Sequence, residues 1–302
     1  MKRILAFMLA VIMLFLFAGC GGSAEVSSKA TPSDNSKPEE PSSTPEPSSS
    51  EEASSEEVSS EAESAPEKTE LTLKIGSYNI ANGSKCGHNM QLLADDILSK
   101  KLDIVGFQEV DHLSSRAQFL DTMKVLSEKP GYKYYFFAKA ISLEPYGLQG
   151  DYGLGILSKY PILETNNIPI DSTPFHTEDR TIAYAKIDVN GHVINFFNTH
   201  LSYETEELRN HQITYVANVV KDYKNCIVTG DFNIMSFDEL APFKNLSLSN
   251  NADNKIHTYY EEGWFDAIDN VLYSKEYSFV SAGALNNNHS DHHLFYAELK
   301  VK

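Results

Sequence analysis

Large apolar side chains are distributed unevenly along this chain of 302 residues. Residues 21–70 consist mainly of Ser, Glu and Pro and contain almost no large apolar side chain. Such a segment cannot bury enough apolar surface to offset the chain entropy that folding would remove. We therefore expect residues 21–70 to form a disordered, extended tether. The fold must then be confined to residues 71–302, a stretch long enough to form a large core.

The first 20 residues are typical of a targeting segment. Lys2 and Arg3 precede an apolar run of 15 residues, 4–18, which is shorter than an ordinary membrane-spanning helix. Small residues and then Cys20 follow, an arrangement that resembles the bacterial lipobox, although Phe17 stands where Leu is commoner. We expect residues 1–20 to be a lipoprotein signal peptide and Cys20 to be the lipidated residue. A plain secretory signal with an incidental cysteine is the alternative.

The acidic tail accounts for much of the negative charge. The chain has a formal net charge of −17, but residues 21–70 hold 13 acidic and 3 basic side chains. Residues 71–302 carry 29 acidic and 20 basic side chains, a net charge of about −9. This balance lacks the basic footprint of nucleic-acid-binding proteins. It does not exclude a metal-dependent nuclease, because bound cations would neutralise several of the acids.

Two cysteines remain beyond the targeting segment, Cys86 and Cys226. Their spacing gives no support for a disulfide, and a domain of this length does not need one. We expect two free thiols.

Residues 71–302 alternate between short strand-like runs and a few helical stretches. Apolar residues at helical spacing predict helices over 89–101, 117–128 and 206–223. Alternating or short apolar runs predict strands over 71–79, 103–108, 132–140, 153–158, 162–168, 181–189, 192–199, 225–230, 268–273, 277–281 and 293–301. Asn190-Gly191 favours a two-residue hairpin between two of these strands. Many strands without a regular strand–helix–strand repeat predict an α+β fold, a four-layer α/β/β/α sandwich of two mixed sheets packed face to face with helices outside.

Polar side chains occur at or next to the ends of the predicted strands. They are Asn79, Glu109, His200, Asp231, Asn233, Asp269, Asp291 and His292. Each alone has a structural interpretation, because Asn and Asp after a strand usually form turns and a lone histidine is usually a packed or surface residue. Strand ends are nevertheless rigid positions that bring several side chains to one rim. So many of them in one domain favour a catalytic site.

Six short motifs resemble, in order, those of the endonuclease/exonuclease/phosphatase family, which includes pancreatic deoxyribonuclease, neutral sphingomyelinases and inositol polyphosphate phosphatases. They lie at 77–80, 106–110, 198–201, 229–233, 268–271 and 290–292, and they include Gly-Asp-Phe-Asn at 230–233 and Ser-Asp-His at 290–292. The resemblance covers nearly all of residues 71–302. It implies the four-layer fold and a metal-dependent hydrolase.

The resemblance also implies a metal site. Asn79 and Glu109 match metal ligands of the family, and Asp291 matches a second acidic residue near the metal. Oxygen donors of this kind suit Mg²⁺, with Mn²⁺ as a substitute.

Five further positions match catalytic residues of the family. His292 resembles the base that takes a proton from the attacking water, and Asp269 resembles the acid that holds its tautomer. Asp231 would orient the water, and Asn233 would donate to a phosphoryl oxygen as both a catalytic and a substrate-binding residue. His200 resembles a second histidine that contacts the phosphate or the leaving group.

Two arginines have less certain matches. Arg180 matches an arginine that contacts substrate phosphate in the deoxyribonuclease branch, and the alternative is a surface arginine paired with Glu178 or Asp179. Arg209 matches an Arg-x-x-Gln pattern, for which a structural hydrogen bond from helix to sheet is the better interpretation. His289 and His293 flank the predicted base, and we expect both to be exposed or packing residues.

The sequence therefore predicts an extracytoplasmic phosphodiesterase or phosphatase, monomeric and lipid-anchored to the cell membrane. Its substrate would be a phosphoester, either a lipid headgroup or a small phosphodiester. A secreted nuclease acting on nucleic acid is the alternative. A third hypothesis is a non-catalytic surface-binding lipoprotein on a decayed enzyme fold, but a candidate residue is present at every motif.

Overall fold

A computed structural model describes residues 70–173, 175–259 and 266–302. The described residues belong to one compact unit. The predicted signal peptide, its Cys20 and the tether up to residue 69 lie outside the described residues.

The described residues form twelve strands and three α-helices. The strands are β1 (Thr72–Asn79), β2 (Ile104–His112), β3 (Tyr134–Ser142), β4 (Asp151–Ser158), β5 (Ile162–Ile170), β6 (Arg180–Val189), β7 (His192–His200), β8 (Cys226–Asp231), β9 (Leu246–Leu248), β10 (Asp269–Ser274), β11 (Tyr277–Leu285) and β12 (Leu294–Val301). The helices are α1 (Met90–Ser99), α2 (Thr122–Ser127) and α3 (Glu206–Val220), and short 3-10 helices cover Ala81–Cys86, Glu144–Tyr146 and Phe237–Leu240. None of the helices in these described ranges is long and apolar enough to cross a membrane.

The strands build two mixed sheets of six strands each. The first sheet has the order β11-β12-β1-β2-β4-β3, and the second has the order β5-β6-β7-β8-β10-β9. Each sheet contains one parallel pair, β1 with β2 and β7 with β8, and its other pairs are antiparallel. In each sheet the two parallel strands therefore end at the same edge.

Three hydrophobic clusters separate four layers. Side chains from both sheets, including Ile75 and Phe196, form the central cluster between them. Val105 and Phe107 pack with α1 and α2 on the outside of the first sheet. Phe197 packs with α3 on the outside of the second sheet, opposite to its neighbour Phe196, because successive strand residues face opposite sides. The predicted four-layer α/β/β/α sandwich is confirmed.

Several element boundaries differ from the prediction. Helix α2 begins only at Thr122, where the Asp121 side chain accepts from Lys124 N at 3.1 Å and caps the helix, so residues 117–121 of the predicted helix are not helical. Strand β9 was not predicted, since three residues are too few for a periodic signal. Strand β11 continues to Leu285, past the predicted end at 281. Cys86 and Cys226 are free thiols, as predicted.

A polar seam joins the two sheets beneath the strand ends. Gln108 Nε2 donates to Asn198 Oδ1 at 2.6 Å, and Thr229 Oγ1 donates to the same oxygen at 3.1 Å. Asn198 Nδ2 in turn donates to the carbonyl oxygen of Phe107 at 2.7 Å. A Cβ added to Gly106 would lie 2.1 Å from Thr229 Oγ1, so only glycine permits this close approach. The inter-sheet polar seam (Gln108, Asn198 and Thr229) fixes how the two sheets are aligned.

Candidate active site

The sheet topology gathers the predicted site residues at one edge of the sandwich. In the first sheet β1 and β2 end there, and β12 begins there because it runs antiparallel to β1. In the second sheet His200 and Asp231 are register partners at the ends of β7 and β8, and Asp269 pairs with Asp231 at the start of β10. Both sheets therefore contribute side chains to the same rim.

His292 and Asp269 form a buried pair. His292 Nδ1 lies 2.9 Å from Asp269 Oδ2, and a carboxylate can only accept, so Nδ1 carries the proton and Nε2 is left facing Asp231 Oδ2 at 3.6 Å. Burial alone would lower the pKa of His292, but the Asp269 and Asp231 carboxylates outweigh burial and raise it to about 10. The ring of Tyr259 packs on the imidazole with centroids 4.8 Å apart. The pair thus holds one tautomer and stabilises the imidazolium that forms when Nε2 takes up a proton.

The Asp231 carboxylate lies at the centre of the site. Its Oδ2 accepts from Asn79 Nδ2 at 3.0 Å and lies 3.5 Å from His200 Nε2. Its Oδ1 accepts from the main-chain N–H of Asn233 at 3.0 Å. Burial raises the pKa of Asp231 to about 7, although the neighbouring His292 opposes the shift. One carboxylate is therefore in reach of residues from both sheets.

Asn79 bridges two carboxylates. Its Nδ2 donates to Glu109 Oε1 at 3.1 Å as well as to Asp231, and its Oδ1 accepts from Ala81 N at 3.1 Å. The family resemblance implied a ligand oxygen at this position, whereas here the amide nitrogen faces the acids. Burial raises the pKa of the Glu109 carboxyl, and donation from Asn79 opposes that shift.

Glu109 sits in a β-bulge. The pairing of β2 with β4 shifts register between Phe107 and Val110, and both of these residues pack against the helices. Glu109 has a φ of 56°, a left-handed conformation that costs energy in a non-glycine residue. Bulges beside functional sites re-aim a side chain in this way. Because the bulge contains an extra residue, the direction of the Glu109 side chain does not follow the regular alternation of strand residues between the two faces of the sheet.

Asp291 joins this group from the loop before β12. Its side chain is exposed, yet it lies close enough to Glu109 to contribute to that residue's raised pKa. The preceding Ser290 Oγ donates to the Asn79 carbonyl oxygen at 2.8 Å, which holds the loop against the end of β1. The structure therefore brings Asn79, Glu109 and Asp291 together.

His200 is held in one tautomer by an arginine. Arg180 NH1 lies 3.2 Å from His200 Nδ1, and a guanidinium can only donate, so the His200 hydrogen sits on Nε2 and faces Asp231. Burial, then the positive charges of Arg180 and His292, lower the pKa of His200 well below its usual range. His200 is thus a neutral hydrogen-bond donor.

Arg180 combines features of both sequence interpretations. It does pair with Glu178, at 3.3 Å, but it is only 6% exposed and is not a surface residue. Its Nε has no hydrogen-bond partner among the described residues. It lines a narrow crevice together with His200 and Tyr152. This position suits an anionic ligand.

Asn233 and Arg209 make structural contacts. Asn233 has a φ of 50°, and its Nδ2 donates to the Leu201 carbonyl oxygen at 2.8 Å, which ties the turn after β8 to the end of β7. Arg209 is fully buried, and its Nε donates to Glu239 Oε2 at 2.6 Å in a 3-10 helix, a contact that supports the structural interpretation. Gln212 links the helix to the sheet, since its Oε1 accepts from Ser202 N at 2.8 Å beside the end of β7.

The sequence did not point to Tyr152 and Arg116. Burial and the nearby Glu109 raise the pKa of Tyr152 well above its usual range, and the Arg116 guanidinium lies 5.5 Å from its ring centroid. A tyrosine at the start of a strand is usually a packing residue, so the sequence carries no signal that Tyr152 lies near Glu109.

The oxygen donors at this edge suit a hard divalent cation. Asp231, Asp269 and His292 offer ligand atoms within 4.8 Å of one another, but Asp269 and His292 are already bonded to each other. Glu109 and Asp231 are two carboxylates that share one Asn79 amide, with Asp291 beside them. This second set has the donor chemistry that Mg²⁺ prefers.

Comparison with known proteins gives consistent matches. The sequence model of the endonuclease/exonuclease/phosphatase family matches residues 76–292. A protein of that family from Beutenbergia cavernae superposes with a TM-score of 0.65 at 19% identity, over 76% of this chain and 72% of its own. No curated protein sequence resembles the chain closely enough to count as a match.

Two other solved structures are similar over nearly their whole length. The mannosyl-6-phosphatase of Bacteroides thetaiotaomicron has a TM-score of 0.59 and 21% identity, over 75% of this chain and 99% of its own. The catalytic domain of human Nocturnin has a TM-score of 0.61 and 22% identity, over 80% of this chain and 100% of its own. At these identities the likeness concerns the fold.

Proposed function

We propose a reaction and a metal requirement for this chain, which belongs to the endonuclease/exonuclease/phosphatase family and is a hydrolase of phosphoester bonds. In our proposal, water attacks the phosphorus of a phosphodiester or phosphomonoester. The reaction depends on Mg²⁺ or Mn²⁺, and His292 is the general base. The buried His292–Asp269 pair carries this proposal, because Asp269 fixes the tautomer of the ring and leaves Nε2 facing Asp231 at the edge to which both sheets contribute.

The side chains divide the work of an attack by water. The positive charge of a bound cation would lower the raised pKa of His292, so that its Nε2 would be neutral and would accept the proton of the water. Asp269 would hold the ring in the required tautomer, and Asp231 would orient the water. The fixed His200 Nε2–H would donate to a phosphoryl or leaving-group oxygen, since it is neutral and cannot act as a cation there. Such prearranged donors lower the barrier by stabilising charge that develops in the transition state.

Arg180 and the acidic group would hold the phosphate. Arg180 has a buried Nε free to donate, which supports a contact with a phosphoryl oxygen. Glu109, Asp231 and Asp291 would hold the cation, with Asn79 turning its amide oxygen towards it. The cation would polarise the phosphoryl group and neutralise charge on it. The Asn233 amide would have to leave the Leu201 carbonyl oxygen in order to donate to substrate.

Phosphate release should identify the substrate class. The chain lacking residues 1–20 would be assayed on phosphodiesters, phosphomonoesters and DNA, with Mg²⁺, with Mn²⁺ and with EDTA. We expect activity on a small or lipid-linked ester that EDTA abolishes and either ion restores. Full activity in the chelator would contradict the metal dependence, and preference for DNA would favour the nuclease.

We also propose that the enzyme is a monomer anchored outside the cytoplasm through Cys20. The apolar run 4–18, the Gly19-Cys20 that follows it and the tether support this location. Cys20→Ala should move the protein from the membrane fraction to the medium or leave it unprocessed, because lipoproteins need acyl chains for stable anchoring. Fractionation would test this, and wild-type protein found wholly in the medium would contradict it.

A further inference from the structure

The catalytic loop (residues 286–293) carries both Asp291 and His292. Besides the His292–Asp269 pair, contacts at three other residues hold it to the rest of the fold. Ser290 Oγ donates to the Asn79 carbonyl oxygen at 2.8 Å, and His293 N donates to the Thr258 carbonyl oxygen at 2.7 Å. The third residue is His289, whose Nδ1 lies 3.0 and 3.2 Å from the two carboxylate oxygens of Asp96. This third contact joins the loop to helix α1, which contributes no side chain to the active site described above.

The Asp96 carboxylate is buried and has two donors. Tyr78 OH donates to Oδ2 at 3.0 Å, and His289 Nδ1 donates to the carboxylate from the other side. Asp96 is only 5% exposed, and burial followed by the negative charge of Asp96 raises the pKa of Tyr78. A buried carboxylate is costly unless it is hydrogen-bonded, so the three side chains depend on each other.

The positions of these donors give Asp96 its importance. Tyr78 directly precedes Asn79 at the end of β1, and His289 precedes Asp291 by two residues. Asp96 thus connects the two chain segments that supply Asn79 on one side and Asp291 with His292 on the other. Groups that hold metal ligands in position without binding the metal themselves affect metal affinity and activity.

We propose that Asp96 is a positioning residue that acts through His289 and Tyr78 to fix the catalytic loop, and thereby the placement of Asp291 and His292. The proposal rests on the proposed function for its effect on catalysis. Its effect on the loop itself does not depend on any activity.

Asp96→Ala and Asp95→Ala form a matched pair of variants. Both remove one carboxylate from helix α1, but Asp95 is exposed and accepts from Gln91 of the same helix, one turn earlier, at 2.6 Å. Asp96→Ala should raise the Mg²⁺ or Mn²⁺ concentration for half-maximal activity by about 10-fold, the lower end of what such supporting contacts contribute. Asp95→Ala should leave it unchanged.

Hydrogen exchange of the full chain gives a readout that needs no activity. In Asp96→Ala, amides of residues 286–293 should exchange about 10-fold faster, while strands β6 to β8 keep their wild-type protection. An unchanged exchange rate in this loop would overturn the proposal, whatever the activity. Uniformly faster exchange would show general destabilisation and would also overturn it.

His289 provides a conservative rescue. An asparagine places its amide nitrogen the same number of bonds from Cα as His Nδ1, so His289→Asn should keep the donor to Asp96 and nearly wild-type metal dependence, whereas His289→Ala should behave like Asp96→Ala. The double variant Asp96→Ala/His289→Ala should be little worse than either single variant, because both remove the same contact. Additive effects would overturn the link through His289. If wild-type protein hydrolysed no phosphoester, the proposed function would fail while hydrogen exchange still decided the role of Asp96.

Discussion

Two histidines follow Asp291 in the chain, and they face different surroundings. His292 is buried against Asp269, whereas His293 is partly exposed and its Nδ1 lies 3.1 Å from the His257 carbonyl oxygen. Neighbouring residues of one type can therefore have separate functions, and substitution can distinguish them.

Replacing His292 by alanine should lower kcat by at least about 100-fold, the lower end of what a positioned acid–base group contributes. His293→Ala is the matched control and should change kcat little, because the Nδ1 of this ring contacts the His257 carbonyl oxygen. Steady-state kinetics at saturating Mg²⁺ would measure both. If His293→Ala lost activity while His292→Ala stayed fully active, His293 would be the base and our assignment would be wrong.

Glu109→Gln should separate activity from stability. The variant keeps the size of the side chain, and burial already disfavours the ionised carboxyl, so Tm should be unchanged or slightly higher. Activity at a fixed Mg²⁺ concentration should fall by at least about 10-fold, because an anionic oxygen donor is lost. Thermal melts and a Mg²⁺ titration would test this, and a fall in Tm with activity retained would contradict it.

The sequence predicted which residues approach the site better than it predicted how they do so. Strand ends marked Glu109, His200 and Asp231, because a polar residue after an apolar run is a local signal. The amide orientation of Asn79 and the contact between Asp96 and His289 depend on partners far away in the chain, and no local pattern encodes them. The bulge at Glu109 was also missed, because an extra residue is invisible until the partner strand is known.

At the scale of single elements, the beginning of α3 depends on a side-chain cap. Thr205 accepts a hydrogen bond from Leu208 N at 3.2 Å and so satisfies one of the free N–H groups of the first turn. Helix α3 covers the outer cluster behind β7 and β8, which end at His200 and Asp231.

Thr205→Ala should therefore lower the free energy of unfolding by about 1 kcal/mol, the usual cost of losing such a cap. Thr214→Ala is the control, since Thr214 is exposed within the same helix, where alanine has the higher helix propensity. Urea unfolding would measure both variants. Equal destabilisation of the two would show that the cap does not contribute.

Element identity was predicted more reliably than element ends. Apolar periodicity located the long helices and eleven of the strands, because that period is a property of each segment by itself. The ends were shifted where a cap or a pairing partner decides them, as for α2 at Asp121 and for β11 beside β12.

At the scale of the whole molecule, the inter-sheet polar seam should limit which substitutions the sandwich tolerates. Gly106→Ala would place a methyl group against Thr229 and Asn198 and should destabilise the fold by about 1–3 kcal/mol, as overpacking usually does. Gly155→Ala should cost less, because its nearest atom is the Met123 sulfur at 2.2 Å, near the end of a flexible side chain. Urea unfolding would compare them, and a neutral Gly106→Ala would contradict the tight fit of the two sheets.

The position of β12 makes the first sheet one of the last parts of the described domain that can be completed during synthesis. This strand is the last one along the described chain, yet it lies inside the first sheet, between β1 and β11. As a ribosome releases the chain from its N terminus, β1 and β2 emerge long before their neighbour, and the sheet stays open beside β1 until residues 294–301 appear. His292 and Asp291 emerge just ahead of that strand. The edge of the sandwich that carries Asp291 and His292 is therefore completed only after residues 294–301 have been synthesised.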